Sequence, residues 1–110
     1  MIAVWEPILP SDRRPPATGA LARLADRRVR QYWDHDHAIA RQLAHDARPP
    51  QPPHSCCERA GVLWDLAAAY PIGQRWDAQL PAAIVFDGPV VDVVAGVEAV
   101  IAKSEAARTP

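Results

Sequence analysis

The chain has 110 residues, a formal net charge of -1 and a hydrophobic fraction of 49%, which sets a single domain (residues 1–110) and argues against intrinsic disorder. So even a charge balance offers no electrostatic case for binding nucleic acid or an acidic membrane. Lys103 is the only lysine and Asp residues lie between the arginines, a pattern that fits a GC-rich coding sequence better than a phosphate-binding patch.

Two cysteines cannot build a disulfide framework. No apolar run approaches the roughly 20 residues of a membrane span. The N-terminus has no basic segment ahead of its apolar run, so it does not read as a signal peptide, and the cytoplasm is the expected compartment.

"IAVWEPIL" reads as a strand from the second residue, rich in β-branched and aromatic side chains. A chain that opens inside a strand is expected to have lost an upstream element, by a misplaced start or a truncation. A turn-rich loop, "PSDRRPPATG", follows. Thr18 to Asp26 reads as a short helix with Thr18 as N-cap and Leu21, Leu24 and Ala25 on one face. In "RRVRQYWD", Val29, Gln31 and Trp33 alternate with Arg30 and Tyr32, as in a strand. Asp34 to Ala47 reads as a helix capped by Asp34 or Asp36. There Ile39, Leu43 and Ala47 face inward, and Arg41 and His45 face outward. Pro49 and Pro50 end it.

Residues 49–58 form a proline-stiffened connector that carries both cysteines. "GVLWDLAAAY" fits a strand by the alternation of Val62, Trp64, Leu66 and Ala68, although its alanines also suit a helix. "PIGQRWDAQLP" is loop. "AAIVF", "DG" and "PVVDVV" have the form of a hairpin turned at Asp87-Gly88. After Gly96, "VEAVIAKSEAA" is a closing helix with Val97, Val100 and Ile101 inward. No internal repeat is present.

This order is an α/β layout. The ending "LPAAIVFDGPVVDVVAGVEAVIA" resembles the C-terminal half of thioredoxin-like proteins, with a proline before a strand, an Asp-Gly turn, a glycine and a last helix. "VRQYWDHDHAIARQL" resembles the strand, turn and helix that precede that proline in the peroxiredoxin and TlpA-like branches. "AVWEPIL" and "WDLAAAYP" resemble small uncharacterised bacterial thioredoxin-like proteins. The resemblance covers most of the chain. It implies a three-layer sandwich with a central mixed sheet, N-terminally incomplete, with Pro81 at the family's cis-proline position. The family's C-x-x-C at the mouth of its first helix has no counterpart here, so its catalytic cysteines transfer to no residue.

Among the candidate sites, Cys56-Cys57 is the one soft-ligand pair. Adjacent cysteines have Cα atoms about 3.8 Å apart, whereas relaxed disulfides prefer about 4.4–6.8 Å, so a bond between the two is not the first expectation. Two thiolates on one loop can instead hold Cu(I), Hg(II) or As(III), with His54 as a third ligand. Arg59 favours the thiolates electrostatically. The plainer alternative, in which one cysteine packs as a small hydrophobe and the other is incidental, stands slightly ahead. A zinc site is not expected, because the spacing is unlike two spaced ligand pairs. "WDHDH" (Trp33 to His37) has the residue types of a metal or acid–base cluster, but helix capping by Asp34 and Asp36 explains it more simply. Ser11, Ser55 and Ser104 lack a nucleophile frame, and no phosphate loop is present. Four Trp-acid dipeptides (Trp5-Glu6, Trp33-Asp34, Trp64-Asp65, Trp76-Asp77) recur without a sequence-level account.

The expected function is that of a non-catalytic or accessory thioredoxin-like protein, binding thiols or a soft metal ion at Cys56-Cys57, with no other cofactor. Two alternatives remain. One is a thiol–disulfide oxidoreductase whose active-site segment lies upstream of Met1. The other is an interaction module whose exposed strand edge pairs with a protein partner or a second copy.

Overall fold

The computed structural model describes residues 1–9, 11, 14–54 and 56–108. Its first part is a parallel strand-helix-strand unit: β1 (Ile2–Trp5), α1 (Thr18–Ala22) and β2 (Arg30–Trp33). β1 and β2 pair in parallel, with Ile2 opposite Arg30 and Trp5 opposite Trp33. Parallel neighbours need a long crossover, which the α1 segment supplies. Gln31 ties the three elements together. Its Oε1 accepts from Trp5 Nε1 at 2.8 Å, and its Nε2 donates to the Leu21 carbonyl at 3.0 Å. The alternation expected for β2 is present, with Gln31 and Trp33 half-buried and Arg30 and Tyr32 exposed. α1 is shorter than expected. Thr18 is its first residue, and Ala17 holds the N-cap position without a side-chain bond.

α2 (Ala38–Asp46) follows. Its buried residues are Ala40 and Ala44, with Leu43 and Ala47 packed at the margin of the core. The inward stripe is therefore rotated from the one anticipated, because small alanines allow the helix closest approach. After the proline connector come β3 (Glu58–Arg59) and β4 (Val62–Leu63), a two-residue hairpin. Its turn residues Ala60 and Gly61 have φ of 53° and 76°, the positive values that a type I′ turn requires.

The strand expected over Val62 to Tyr70 is interrupted. Asp65, at φ 50°, ends β4, and a separate β5 (Ala67–Ala69) follows. Ahead of the kink, Leu63 is the buried residue and Trp64 is exposed. β6 (Val85–Asp87) pairs antiparallel with β5, with Ala68 opposite Phe86.

The hairpin expected at Asp87-Gly88 does not form. "PVVDVV" is the start of a longer closing helix, α3 (Val90–Arg108). Its first free amide, Val90 N–H, donates to Asp65 Oδ1 at 3.1 Å, and Asp92 N–H donates to the Pro89 carbonyl at 3.0 Å. A carboxylate on the N-terminal amide and an aspartate in the first turn both favour helix there. Val90, Val93, Val97 and Val100 also satisfy helical spacing, and Gly96 is accommodated inside the helix. Val97 and Val100 are half-buried as expected, whereas Ile101 is exposed.

The strands among the described residues form three two-stranded pairs, not one central mixed sheet. The core is built by α2 and the C-terminal elements: Ala44, Leu63, Leu80 and Phe86, ringed by Leu43, Ala47, Leu66, Ala68, Tyr70 and Ala83. Gln51 on the connector is buried and straps the segment that leads into β6. Its Nε2 donates to the carbonyls of Leu80 and Pro81 at 3.3 and 2.6 Å, and its Oε1 accepts from Ala83 N–H at 2.9 Å. The peptide bond before Pro81 is trans, which corrects the cis-proline assignment. Held by Gln51, Pro81 runs on from buried Leu80, and the cis bonds lie at Pro49-Pro50 and Gly88-Pro89. Among the described residues, no helix is long and apolar enough to cross a membrane.

Candidate functional site

The proline connector delivers Cys56 and Cys57 to the foot of the β3–β4 hairpin. There the Cys57 carbonyl accepts from Trp64 N–H at 2.9 Å. The two sulfurs are bonded to each other across a Cα separation of 3.7 Å. The vicinal bond that sequence geometry disfavoured is thus present, with Cys57 in the left-handed region at φ 87°.

The two cysteines differ in exposure. Cys57 is 7% exposed and belongs to the buried set, whereas Cys56 is partly open to solvent. Cys57 Sγ lies against Gly88. A Cβ on Gly88 would stand 3.0 Å from that sulfur and would collide with the Asp65 carbonyl oxygen. Glycine is the residue that fits the junction between β6 and α3.

His54 is near the pair in sequence but is engaged elsewhere. Its Nε2 is 3.5 Å from Glu58 Oε2, and its ring meets Phe86 edge-on with centroids 5.9 Å apart. Among the described residues, no three His, Cys, Asp or Glu side chains converge as metal donors. In the bonded state Cys56 and Cys57 are committed to each other. The His54, Cys56, Cys57 ligand set is therefore not assembled in this structure.

A second cluster lies at the C-terminal ends of β1 and β2. Because Trp5 is in register with Trp33, the acids that follow them, Glu6 and Asp34, leave the strands side by side. Asp34 N–H donates to the Trp5 carbonyl at 2.7 Å. His37 completes the group, with Nδ1 3.7 Å from Glu6 Oε2, too long for a hydrogen bond. That nitrogen is buried without a hydrogen-bond partner. Burial pushes the Glu6 carboxyl above its ordinary range; the Asp34 charge adds to this and His37 opposes it.

The capping expectation for "WDHDH" holds for one residue of the two. Asp34 Oδ2 accepts from Ala40 N–H at 3.0 Å. Asp36 instead takes a 2.9 Å contact from its neighbour His35 and is exposed. His37 is the N-cap residue, in the left-handed region at φ 59° and without a side-chain cap bond.

Glu6 was not singled out from the sequence as a site residue. The signal was the repeated Trp-acid dipeptide, which becomes informative once the parallel register of β1 and β2 is known. Gly88 and Asp65, which frame the Cys57 sulfur and the start of α3, gave no signal beyond a turn and an isolated acid.

Two surface clefts lie elsewhere. One of about 310 Å³ is bounded by His45, Asp46, Arg48 and Gln79. Its Asp46 accepts from His45, Gln42 and Leu80. The His45 bond first, and then the other two, hold its carboxyl below the ordinary range. The other, of about 280 Å³, lies between Tyr70, Ile84 and Val100, with Lys103 at its edge. Neither is lined by the cysteines or by Glu6.

No protein-family model, curated protein or solved structure matches the chain.

Proposed function

We propose that this chain is an accessory thioredoxin-like domain whose Cys56-Cys57 pair passes between a disulfide and a dithiol, the dithiol binding thiophilic ligands. The observation that carries this reading is the bond between the two sulfurs, one of them partly exposed, on a connector stiffened by prolines. The thioredoxin-like part is supported by element order: a parallel strand-helix-strand unit, a helix, two antiparallel strand pairs and a last helix. Reduction frees two adjacent soft donors. Because His54 is engaged with Glu58, ions satisfied by two sulfurs suit the pair better than ions that need three donors. A reducing compartment such as the cytoplasm suits a pair that must return to the dithiol.

The test is a thiol titration of the native chain before and after mild reduction, with and without phenylarsine oxide. The expected result is no titratable thiol before reduction, two after it, and both lost to one equivalent of the arsenical. Cys57→Ser leaves one thiol and loses the tight arsenical complex. Two thiols that remain fully reactive in the presence of the arsenical would sink the binding reading.

A second reading rests on β1. Among the described residues its far edge carries no strand, and Ile2 and Val4 are exposed. A second copy pairing there makes a dimer, and a concentration-independent monomer by light scattering rules it out.

A further inference from the structure

The two sulfurs of the vicinal bond are not equivalent, and the difference gives exchange a direction. We infer that incoming thiols attack Cys56 Sγ and that Cys57 Sγ is the departing sulfur, held in place by Gly88. This rests on the reading of the pair as a thiol–disulfide couple. Attack requires a thiolate to approach along the S–S axis from the side opposite the leaving sulfur. Cys56 is partly open to solvent, whereas Cys57 is 7% exposed.

Cys57 Sγ is also packed at the junction that leads into α3. Gly88 lies against it, and the Asp65 carbonyl crowds the same face of that glycine. Asp65 Oδ1 at the same time accepts the Val90 amide. Thus the hairpin foot, the β6–α3 junction and the departing sulfur share one contact region. The N-terminal end of α3 is electropositive and favours an anion nearby. Asp65 and Asp92 oppose this with their own charges, so the direction of exchange is assigned from access and packing.

The steps balance as follows. A thiolate RS⁻ forms a bond to Cys56 Sγ as the Sγ–Sγ bond breaks, and the electron pair leaves on Cys57 as its thiolate. A second thiolate attacks the R sulfur of the mixed disulfide, releasing RSSR and the Cys56 thiolate. The pair is reduced by two electrons and two thiols are oxidised. The substrate class is a small thiol or an exposed protein thiol that can reach the partly open Cys56.

The test uses the oxidised full-length chain and reduced glutathione. The reaction is quenched in denaturing acid at early times, free thiols are blocked with N-ethylmaleimide, and the Cys56-Cys57 peptide is sequenced by mass spectrometry. Fragment ions that split the peptide between the two cysteines locate each group. The expected result is glutathione on Cys56 and the maleimide on Cys57, in at least tenfold excess over the reverse. Equal amounts, or glutathione on Cys57, would overturn the direction and leave the thiol–disulfide reading standing. No adduct and no new thiol at any glutathione concentration would overturn both.

Gly88→Ala tests the holding role. Its Cβ presses on Cys57 Sγ and on Asp65, so the preference for Cys56 is expected to fall at least threefold. An unchanged preference in a folded variant removes Gly88 from the argument. If Gly88→Ala does not fold, the single-cysteine variants supply the readout. Cys57→Ser, which keeps Cys56, is expected to react with Ellman's reagent at least tenfold faster than Cys56→Ser.

Discussion

The two halves of this chain use different means to hold their chemistry. Residues before α2 form a parallel unit that, among the described residues, supplies none of the buried hydrophobic ones, and Ile2 and Val4 are exposed. Its cohesion comes from polar links: the Gln31 bridge to Trp5 and Leu21, and the bonds by which Asp34 joins the end of β1 to the start of α2. The C-terminal half packs Leu63, Leu80 and Phe86 with Ala44 of α2, and the bonded cysteines lie on that core. A charge cluster thus sits on the sparsely packed half and a sulfur pair on the well-packed one. Burial fixes a sulfur in place through steric contact, whereas a buried carboxylate such as Asp34 depends on hydrogen-bond donors like the Ala40 amide.

The largest expected effect tests that contrast directly. Phe86 is 1% exposed, the most buried large side chain of the core. Phe86→Ala should cost about 3–5 kcal/mol through lost transfer energy and the cavity left behind. Val4→Ala on β1 should cost less than about 0.5 kcal/mol. Denaturant unfolding of both variants measures the difference, and comparable losses would break the contrast between the halves. The His54 ring contact with Phe86 means that the same variant should loosen the cysteine connector, read as faster thiol reaction after reduction.

Asp65→Ala is expected to rank next. It removes the carboxylate that accepts the first amide of α3, a loss of about 1 kcal/mol for a helix cap. Asp65→Asn keeps an acceptor and should recover most of that loss. Asn also tolerates the left-handed backbone at Asp65, so it differs from the parent mainly in charge. If the two variants are equally destabilised, the negative charge at the start of α3, and not the acceptor oxygen, is what matters.

Sequence patterning anticipated β1, β2 and α2 because each carries its own period, alternating or helical. It anticipated the proline connector because Pro49 and Pro50 cannot extend α2. The end of the chain was harder to read. "PVVDVV" satisfies both an alternating strand and a helix of valines. Asp65, distant in sequence, decides for helix by accepting the Val90 amide. β-branched residues tolerate either state when tertiary contacts choose. The cysteine pair was legible as a candidate, but its bond was not. The separation of adjacent Cα atoms argues against bonding, and the conformation that permits it places Cys57 at positive φ, which no local motif announces. Glu6 was hidden for another reason. Its partners Asp34 and His37 are brought to it by strand register, which residue spacing within one segment does not reveal.

The smallest expected effect belongs to that cluster. The Glu6 carboxyl is 11% exposed and, by burial first, is raised above its ordinary value near 4.5. A raised value means that the folded chain holds this proton more tightly than the unfolded one. The stability that Glu6 contributes is therefore complete below pH about 4.5 and is lost as pH rises through its higher folded value. Glu6→Gln is neutral at every pH, so it should unfold at higher denaturant than the parent at pH 7, by less than about 1 kcal/mol. Below pH 4 the two should converge. His37→Ala, which removes the partner that opposes the rise at Glu6, should widen the gap between the parent's acidic and neutral stability. A Glu6→Gln variant that is less stable at pH 7 would show that the Glu6–His37 pairing outweighs the burial of the carboxylate. In that case the polar half would owe part of its cohesion to this pair as well as to the Gln31 bridge.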